Sequence, residues 1–459
     1  MSSSASTPDF EGPIAVVILA AGKGTRMRSA LPKVLHEIGG APMLHHAMDA
    51  ALGLAPARMA VVVGHGAEAV AAAARAKVPD VAICAQEQQL GTAHAVLTAE
   101  PALEGFEGEV IVLYGDTPFV ELETMQRLRR ERGEHGLMVL GFEAEEPGRY
   151  GRLILNNSGL DRIVEAKDAT PQQLAVTTCN SGVMLGDCAL ILKLLANVSN
   201  DNAQGEFYLT DLPALAAEQG VTTGVVLCDE AETAGINDRL ELSDAERRFQ
   251  VHAREEAMRA GATLIAPETV FFSADTVLAP DVVVEPNVIF GPGVRVAEGA
   301  RIRAFSHLEG ADVGTNAIVG PYARLRPGTH LAADARIGNF VEIKNAEIGE
   351  GAKANHLTYV GDASVGPGAN LGAGTITCNY DGFSKHRTEI GAGAFVGVNT
   401  ALIAPVTLGD GAYVATGTVI TQDVPEDGLA IARTPQQNRE GSAKRLRQVL
   451  AARKAKQKE

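Results

Sequence analysis

Val313, Val319, Leu325, Leu331, Ile337 and Ile343, within ADVGTNAIVGPYARLRPGTHLAADARIGNFVEI (311–343), place an aliphatic residue at every sixth position. A second run, Ile390, Val396, Leu402, Leu408, Val414 and Ile420, takes the same step. Two shorter stretches, Val277, Val283, Ile289 and Val296, Ile302, Leu308, lie beside them, and glycine often follows the aliphatic residue, as in Ile337-Gly338 and Ile390-Gly391. A period of six fits neither a helix of 3.6 residues per turn nor an alternating strand. It fits a parallel β-helix, in which each short strand buries one residue on a shared axis and glycine eases the corners. No single coil buries enough surface alone, so the coils must stack into one core. The last third of the chain is therefore read as a β-helix.

Working back from it, 459 residues allow two or three domains with real cores. The net charge of −16 argues against nucleic acid as a general partner. Cys84, Cys179, Cys188, Cys228 and Cys378 are scattered without a CxxC pair, which points to reduced thiols rather than a disulfide frame or zinc site. Met1–Gly12 lacks the layout of a signal peptide, and no apolar run has the length of a membrane span. A cytoplasmic protein without membrane insertion is expected.

Ile14–Leu19 (IAVVIL) is a continuous apolar run, as expected of a strand buried on both faces of a sheet. It enters Ala20-Ala21-Gly22-Lys23-Gly24-Thr25-Arg26, and Leu31-Pro32-Lys33-Val34 follows. Such a turn can bring amides and cations to a phosphate, yet it matches neither a Walker A motif nor GxGxxG, and a plain strand–helix connection explains it equally well. Further strands are expected at Met59–Val63, Val81–Ala85, Val110–Leu113 and Met138–Phe142, alternating with Ala-rich helices. That order predicts a doubly wound, Rossmann-like α/β sheet with ligands at the carboxyl ends of its strands. Asp116, just past a strand, suits either a hard metal or a helix N-cap.

LAAGKGTRM, LPKV, QLGTAHA, YGD, YGR, VEAKDAT, CNSG, GEFYLTD and GIND then occur in order, ahead of a hexapeptide β-helix. Together they resemble the sugar-nucleotide pyrophosphorylases. The whole run from about Ile14 to Arg439 resembles the bifunctional bacterial N-acetylglucosamine-1-phosphate uridyltransferase/glucosamine-1-phosphate acetyltransferase family. The resemblance implies a uridyltransferase domain at 1–239, a helical linker at 240–260 and a left-handed β-helix acetyltransferase domain at 261–459. Leu19, Ala20, Ala21, Gly22, Gln86, Gly91 and Thr92 would hold the uridine nucleotide, and Arg26 and Lys33 would neutralise phosphates. Tyr114, Gly115, Gly151, Glu165 and Asn180 would line the nucleotide-sugar site, with Asp116 and Asn237 holding Mg²⁺. UTP and acetyl-CoA are the implied co-substrates. The implied product is UDP-N-acetylglucosamine, a precursor of peptidoglycan and lipopolysaccharide. In-line attack of a sugar phosphate on the α-phosphorus of UTP needs positioning and charge neutralisation, not a protein nucleophile.

Ser243–Gly261 is charged and helix-forming, with Gly261 as C-cap and its charges read as a solvated face. The β-helix pattern breaks at Lys353–Tyr359 and again at Asn379–Arg387, and such irregularities are where functional loops sit. By the same resemblance His356 is the general base for the sugar amine. Histidine suits the task as a residue type, since an unperturbed imidazole titrates at about pH 6.5, near working pH. Arg326, Lys344, Tyr359 and Asn370 would bind the acetyl acceptor. Ala373, Asn379, Tyr380, Val398, Thr416 and Arg433 would bind acetyl-CoA, with Val398 standing where the family commonly has serine. A homotrimer with sites between subunits is implied. A pyrophosphorylase whose β-helix only trimerises, and a regulatory subunit on the same folds, are the competing readings. The basic tail from Arg439 is expected to be helical or frayed, with disorder favoured.

Overall fold

The computed structural model describes residues 12–157 and 159–457. The chain divides into two compact units, one ending at His252 and the other beginning at Ala253. In the first, β1 (Ile14–Ala20), β2 (Arg58–Val63), β3 (Ala82–Ala85), β4 (Glu109–Tyr114), β5 (Leu137–Glu143), β6 (Thr178–Asp187) and β7 (Thr223–Cys228) form a sheet ordered β7-β5-β6-β4-β1-β2-β3. Every residue of β1 is buried because the strand serves two cores: Ala15, Val17 and Leu19 face one, and Ile14, Val16, Ile18 and Ala20 the other. Burying such a strand contributes about 1.5–3 kcal/mol for each large aliphatic side chain. The sheet is mixed rather than uniformly parallel. β6 runs antiparallel to both β4 and β5, because the chain reaches it through the hairpin Arg152–Asn156/Gly159–Val164 instead of a crossover helix. β1 and β4 lie side by side, with Leu19 opposite Tyr114, so the loops leaving both strands open at the same edge.

The connecting helix runs Arg239–Arg259, earlier than its charges suggest, because Asp238 Oδ1 accepts from the amides of Leu240 (2.9 Å) and Glu241 (3.0 Å). It is not simply solvated. Ala245 packs with Ile38, Met43 and Ile236, and Phe249 packs beside Gly39, where a Cβ would lie 2.2 Å from its ring.

In the second unit strands of mostly two or three residues pair in parallel with strands that, in most cases, lie 17 or 18 residues later, as in Ile302–Val319, Val319–Ile337 and Leu325–Ile343. Three strands complete a coil, giving the left-handed parallel β-helix. All twelve residues of the two long runs are buried. The first short stretch is out of phase by one. Val277 and Ile289 face outward, and Val284 and Phe290 point inward, continuing the six-residue step to Val296, Ile302 and Leu308. Both positions of VV and IF are apolar, so period alone does not choose the inward one. Gly338 and Gly391 answer to space rather than to an unusual φ: a Cβ at Gly338 would sit 1.9 Å from the Asn355 carbonyl oxygen of the next coil. Left-handed corners are taken by other residues, Asn316, Asp334 and Asn345 among them. The tail forms a helix, Ser442–Lys456, with no buried residue, the helical of the two forms expected of it.

Candidate functional sites

At the β1/β4 edge, the Gly115 amide donates to the Leu19 carbonyl (3.0 Å), fixing the turn that presents Asp116. Lys33 Nζ forms an ion pair with Asp116 Oδ2 and donates to Asn237 Oδ1 at 2.8 Å. Three segments far apart in sequence thus meet on one ammonium. A carboxylate and an amide oxygen converging on a cation make a hard-oxygen pair, the donor type that Mg²⁺ prefers, with phosphates and water left to complete its shell. Among the described residues no group of three or more His, Cys, Asp or Glu converges as a metal site.

Beside this pair lies a second group. The Asn180 backbone N–H donates to the Gly151 carbonyl (2.8 Å), and its side-chain Oδ1 accepts from Gly182 N (3.0 Å). A Cβ on Gly151 would lie 3.6 Å from both Asn180 Cβ and Glu165 Oε1, so the three are neighbours. Burial pushes the Glu165 carboxyl above its ordinary range; a hydrogen bond from Thr210 Oγ1 (3.1 Å) opposes this without cancelling it. The Tyr114 phenol is also pushed up, by burial first and then by the charges of Asp116 and Glu165. Its ring packs on Gly182, where a Cβ would come within 2.7 Å, in the irregular stretch of β6 between Asn180 and Met184.

Buried Gln86 donates to the Gly91 carbonyl (3.1 Å), and Gly91 has φ +118° with the Phe207 backbone pressed against it. Thr92 Oγ1 accepts from Leu209 N (3.0 Å), so its hydroxyl is committed to the fold. Ala20 and Ala21 are buried, Gly22 opens to free space, and Ala21 O accepts from Gln89 Nε2 (2.5 Å). Arg26 is exposed and is not part of the Lys33–Asp116 ion pair or the Lys33–Asn237 hydrogen bond. Gly182, Thr210 and Gln89 escaped sequence reasoning. All three lie inside quoted motifs, Gln89 opening QLGTAHA, Gly182 closing CNSG and Thr210 within GEFYLTD, but nothing local to those motifs singles them out.

In the β-helix, Arg326 Nη1 pairs with Glu342 Oε1 (2.8 Å), and Glu342 lies in register with Tyr359 of the next coil. Lys344 stands beside Lys385, whose contact holds its ammonium below the usual lysine range. Burial pulls the Asp362 carboxyl up, but hydrogen bonds from Asn345 (2.6 Å) and Asn379 (2.5 Å), with the Lys344 and Lys385 charges, hold it below the ordinary range. Asn379 thus spends its amide on Asp362, and the Tyr380 hydroxyl donates to Gly382 O (2.6 Å) within its own loop.

His356 Nδ1 is hydrogen-bonded to Asn339 Oδ1 at 2.6 Å. Because that oxygen only accepts, Nδ1 is the donor, and in the neutral imidazole the lone pair then lies on Nε2, the tautomer a general base needs. Asn339 and Lys385 were not anticipated: one lies a full coil before His356, the other in an irregular loop. Asn370 is in register with Lys353 and Phe395 of adjoining coils. Ala373, Val398 and Thr416 fall at one corner of successive coils: Ala373 O accepts from Asn399 N and Val398 O from Gly417 N, both at 2.8 Å. Arg433 Nη1 donates to Thr416 O (2.5 Å) at the foot of that column.

A MobA-like NTP transferase domain matches residues 16–179. "Bifunctional protein GlmU" of Ruegeria sp. (strain TM1040) is 60% identical over 96% of this chain and 98% of its own length. The protein of that name from Ruegeria pomeroyi is 60% identical over 97% and 99%. The chain belongs to the bifunctional GlmU family. It is an enzyme with two transferase activities, uridylyl and acetyl transfer, and takes a nucleotide and acetyl-CoA as substrates. The solved inositol-1-phosphate CTP transferase of T. maritima aligns with a TM-score of 0.43 at 16% identity, over 53% of this chain and 98% of that one. Among the described residues no helix is long and apolar enough to cross a membrane, and all five cysteines are unpaired.

Proposed function

We propose that this GlmU-family chain carries uridylyl transfer on residues 1–239 and acetyl transfer on 261–459, joined by the helical linker 240–260, and acts as a cytoplasmic homotrimer. The β-helix acetylates glucosamine-1-phosphate. The N-terminal domain then joins N-acetylglucosamine-1-phosphate to UTP, releasing pyrophosphate. The observation that carries the first site is the meeting of Asp116 and Asn237 on one cation. These two would hold Mg²⁺, which when bound neutralises phosphate charge. Lys33, released from them, neutralises phosphate beside the reacting centre, with Arg26 as a further cation. The backbone of Leu19–Gly22 with Gln86, Gly91 and Thr92 holds the nucleotide. Tyr114, Gly115, Gly151, Glu165 and Asn180 orient the sugar for in-line attack.

In the second site His356 Nε2 accepts the proton of the sugar amine as nitrogen attacks the thioester carbonyl; the C–S bond breaks and coenzyme A leaves, its sulfur taking up a proton to give the free thiol. Asn339 holds the ring in the required tautomer. Arg326, Lys344, Tyr359 and Asn370 hold the acceptor, with Lys385 added to its phosphate. The column Ala373, Val398, Thr416 and Arg433, with Asn379 and Tyr380, takes acetyl-CoA. Trimer formation is supported by an exposed ladder of Phe305, Tyr322 and Phe340, stacked at 4.9 and 5.2 Å, an apolar ridge suited to burial against another copy. The test is thiol release from acetyl-CoA on adding glucosamine-1-phosphate, with EDTA present and UTP absent. Wild type releases thiol, and His356→Ala slows release by on the order of 10²–10⁴ while sparing uridylyl transfer. Undiminished release by the variant would refute the role of His356.

A further inference from the structure

Asn345, Asp362 and Asn379 follow one another at intervals of 17 residues, one on each of three successive coils of the β-helix. Asp362 lies between the two amides: its Oδ1 accepts from Asn345 Nδ2 (2.6 Å) and its Oδ2 from Asn379 Nδ2 (2.5 Å). Asn345 and Asp362 both take the left-handed backbone, with φ +45° and +48°, which short polar side chains tolerate. Asn345 follows Lys344 in the chain, and Lys344 is in register with Gly361, the residue before Asp362. The column therefore begins beside a cation proposed for the acetyl acceptor and ends on a residue proposed for acetyl-CoA.

The charge at the centre of the column fixes which way its last amide points. Burial raises the Asp362 carboxyl, but the two amides and the charges of Lys344 and Lys385 outweigh it and hold the group below the ordinary carboxylate range. An ionised carboxylate only accepts, so Asn379 must turn its NH₂ towards Asp362 and its side-chain oxygen the other way. Asn379 is buried, its backbone carbonyl accepts from His386 N (2.8 Å), and its Oδ1 has no hydrogen-bond partner among the described residues. An amide oxygen left over on a buried residue is an acceptor available to a ligand N–H.

We propose that Asp362 is a positioning residue for acetyl transfer, which orients the Asn379 amide so that Oδ1 accepts an N–H of the pantetheine arm of acetyl-CoA. The inference rests on the reading of Asn379 as an acetyl-CoA residue and deepens it, by adding a group that touches no substrate itself. The pantetheine arm carries secondary amides, whose N–H groups need an acceptor once they leave water. The two substrates should respond differently to loss of the Asp362 charge. That charge lies beside Lys344 and Lys385, so its removal leaves them no less attractive to a phosphate.

Asp362→Asn is the informative variant, because asparagine keeps the shape and accepts the left-handed backbone. Its oxygen still serves Asn345, but its NH₂ then faces Asn379, whose amide turns round and shows the ligand a donor instead of an acceptor. The full-length protein is titrated calorimetrically with acetyl-CoA, and thiol release is followed with EDTA present. We expect acetyl-CoA to bind about tenfold more weakly and its KM to rise in step, with KM for glucosamine-1-phosphate unchanged or lower and uridylyl transfer intact. Asp362→Asn combined with Asn379→Asp exchanges the two groups, again sets a donor against an acceptor, and should recover most of the lost affinity. Asn379→Asp alone opposes two carboxylates and should recover none. Unchanged acetyl-CoA affinity in Asp362→Asn, an equal loss for glucosamine-1-phosphate, or no recovery in the exchanged pair overturns the proposal. Asn379→Ala, measured in parallel, separates the two failures. A loss there without one in Asp362→Asn overturns the role of Asp362 alone, and no loss in either overturns the reading of Asn379 as well.

Discussion

The candidate sites of the two units differ in how their cations are compensated. In the N-terminal unit the central cation is already neutralised, with Lys33 shared between Asp116 and Asn237. In the β-helix, Arg326 has Glu342, but Lys344 and Lys385 crowd one another near Asp362. The first arrangement is satisfied without ligand and must exchange one cation for another to work. The second is repulsive without ligand, and an arriving anion relieves it directly. One site should therefore depend on a divalent metal and the other should not.

The sharpest way to break this contrast is Asp116→Asn, which removes the charge shared by Lys33 and the proposed metal. Uridylyl transfer should fall by on the order of 10²–10³ in kcat/KM, while acetyl transfer stays unchanged in the same preparation. Equal losses in both assays would mean that Asp116 supports the fold instead. Next, Lys344→Met removes a mutually repelling cation. We expect KM for glucosamine-1-phosphate to rise about tenfold, with kcat little altered and no response to EDTA.

A smaller effect concerns Glu165. Its folded pKa lies above the ordinary carboxylate value, so between those two values the folded state binds more protons than the unfolded chain. The stability linked to this group is therefore full below the ordinary pKa and is lost as pH rises through the folded one. Glu165→Gln should flatten the decline of Tm across that window and raise Tm by a few degrees at pH 7, roughly what 1 kcal/mol achieves in a domain of this size. A Tm–pH curve superimposable on wild type would remove burial as the controlling influence. Smallest of all is Val398→Ser. The Val398 carbonyl is committed to Gly417 N and the side chain is exposed, so KM for acetyl-CoA should change less than about threefold.

What could be read from the sequence follows from how local each constraint is. The six-residue step identified twelve inward residues because each coil repeats the same steric demand. It misplaced Val277 and Ile289 because two adjacent aliphatics satisfy that demand equally, and only pairing with the next coil decides. The residues of the candidate sites were visible through motifs, yet their partners were not. Asn339 meets His356 from 17 positions away, Lys33 meets Asn237 from 204, and Lys385 approaches Lys344 out of an irregular loop. The antiparallel β6 was hidden for the same reason, since strand direction depends on the hairpin before it.

The coil-to-coil spacing also bears on how such a chain can change length over its descent. Leu325 pairs with Ile343, 18 residues on, whereas Val365 pairs with Ile390, 25 residues on, and the register on either side is undisturbed. The seven additional residues (25 − 18 = 7) leave through one corner, at the loop following Cys378. An insertion at a corner is thus absorbed locally. One placed inside a strand turns every following aliphatic off the axis until a whole coil has been added. Lineages carrying this architecture should therefore gain and lose residues in complete turns or at corners, and a corner loop is where a stacked scaffold can acquire new side chains without being rebuilt.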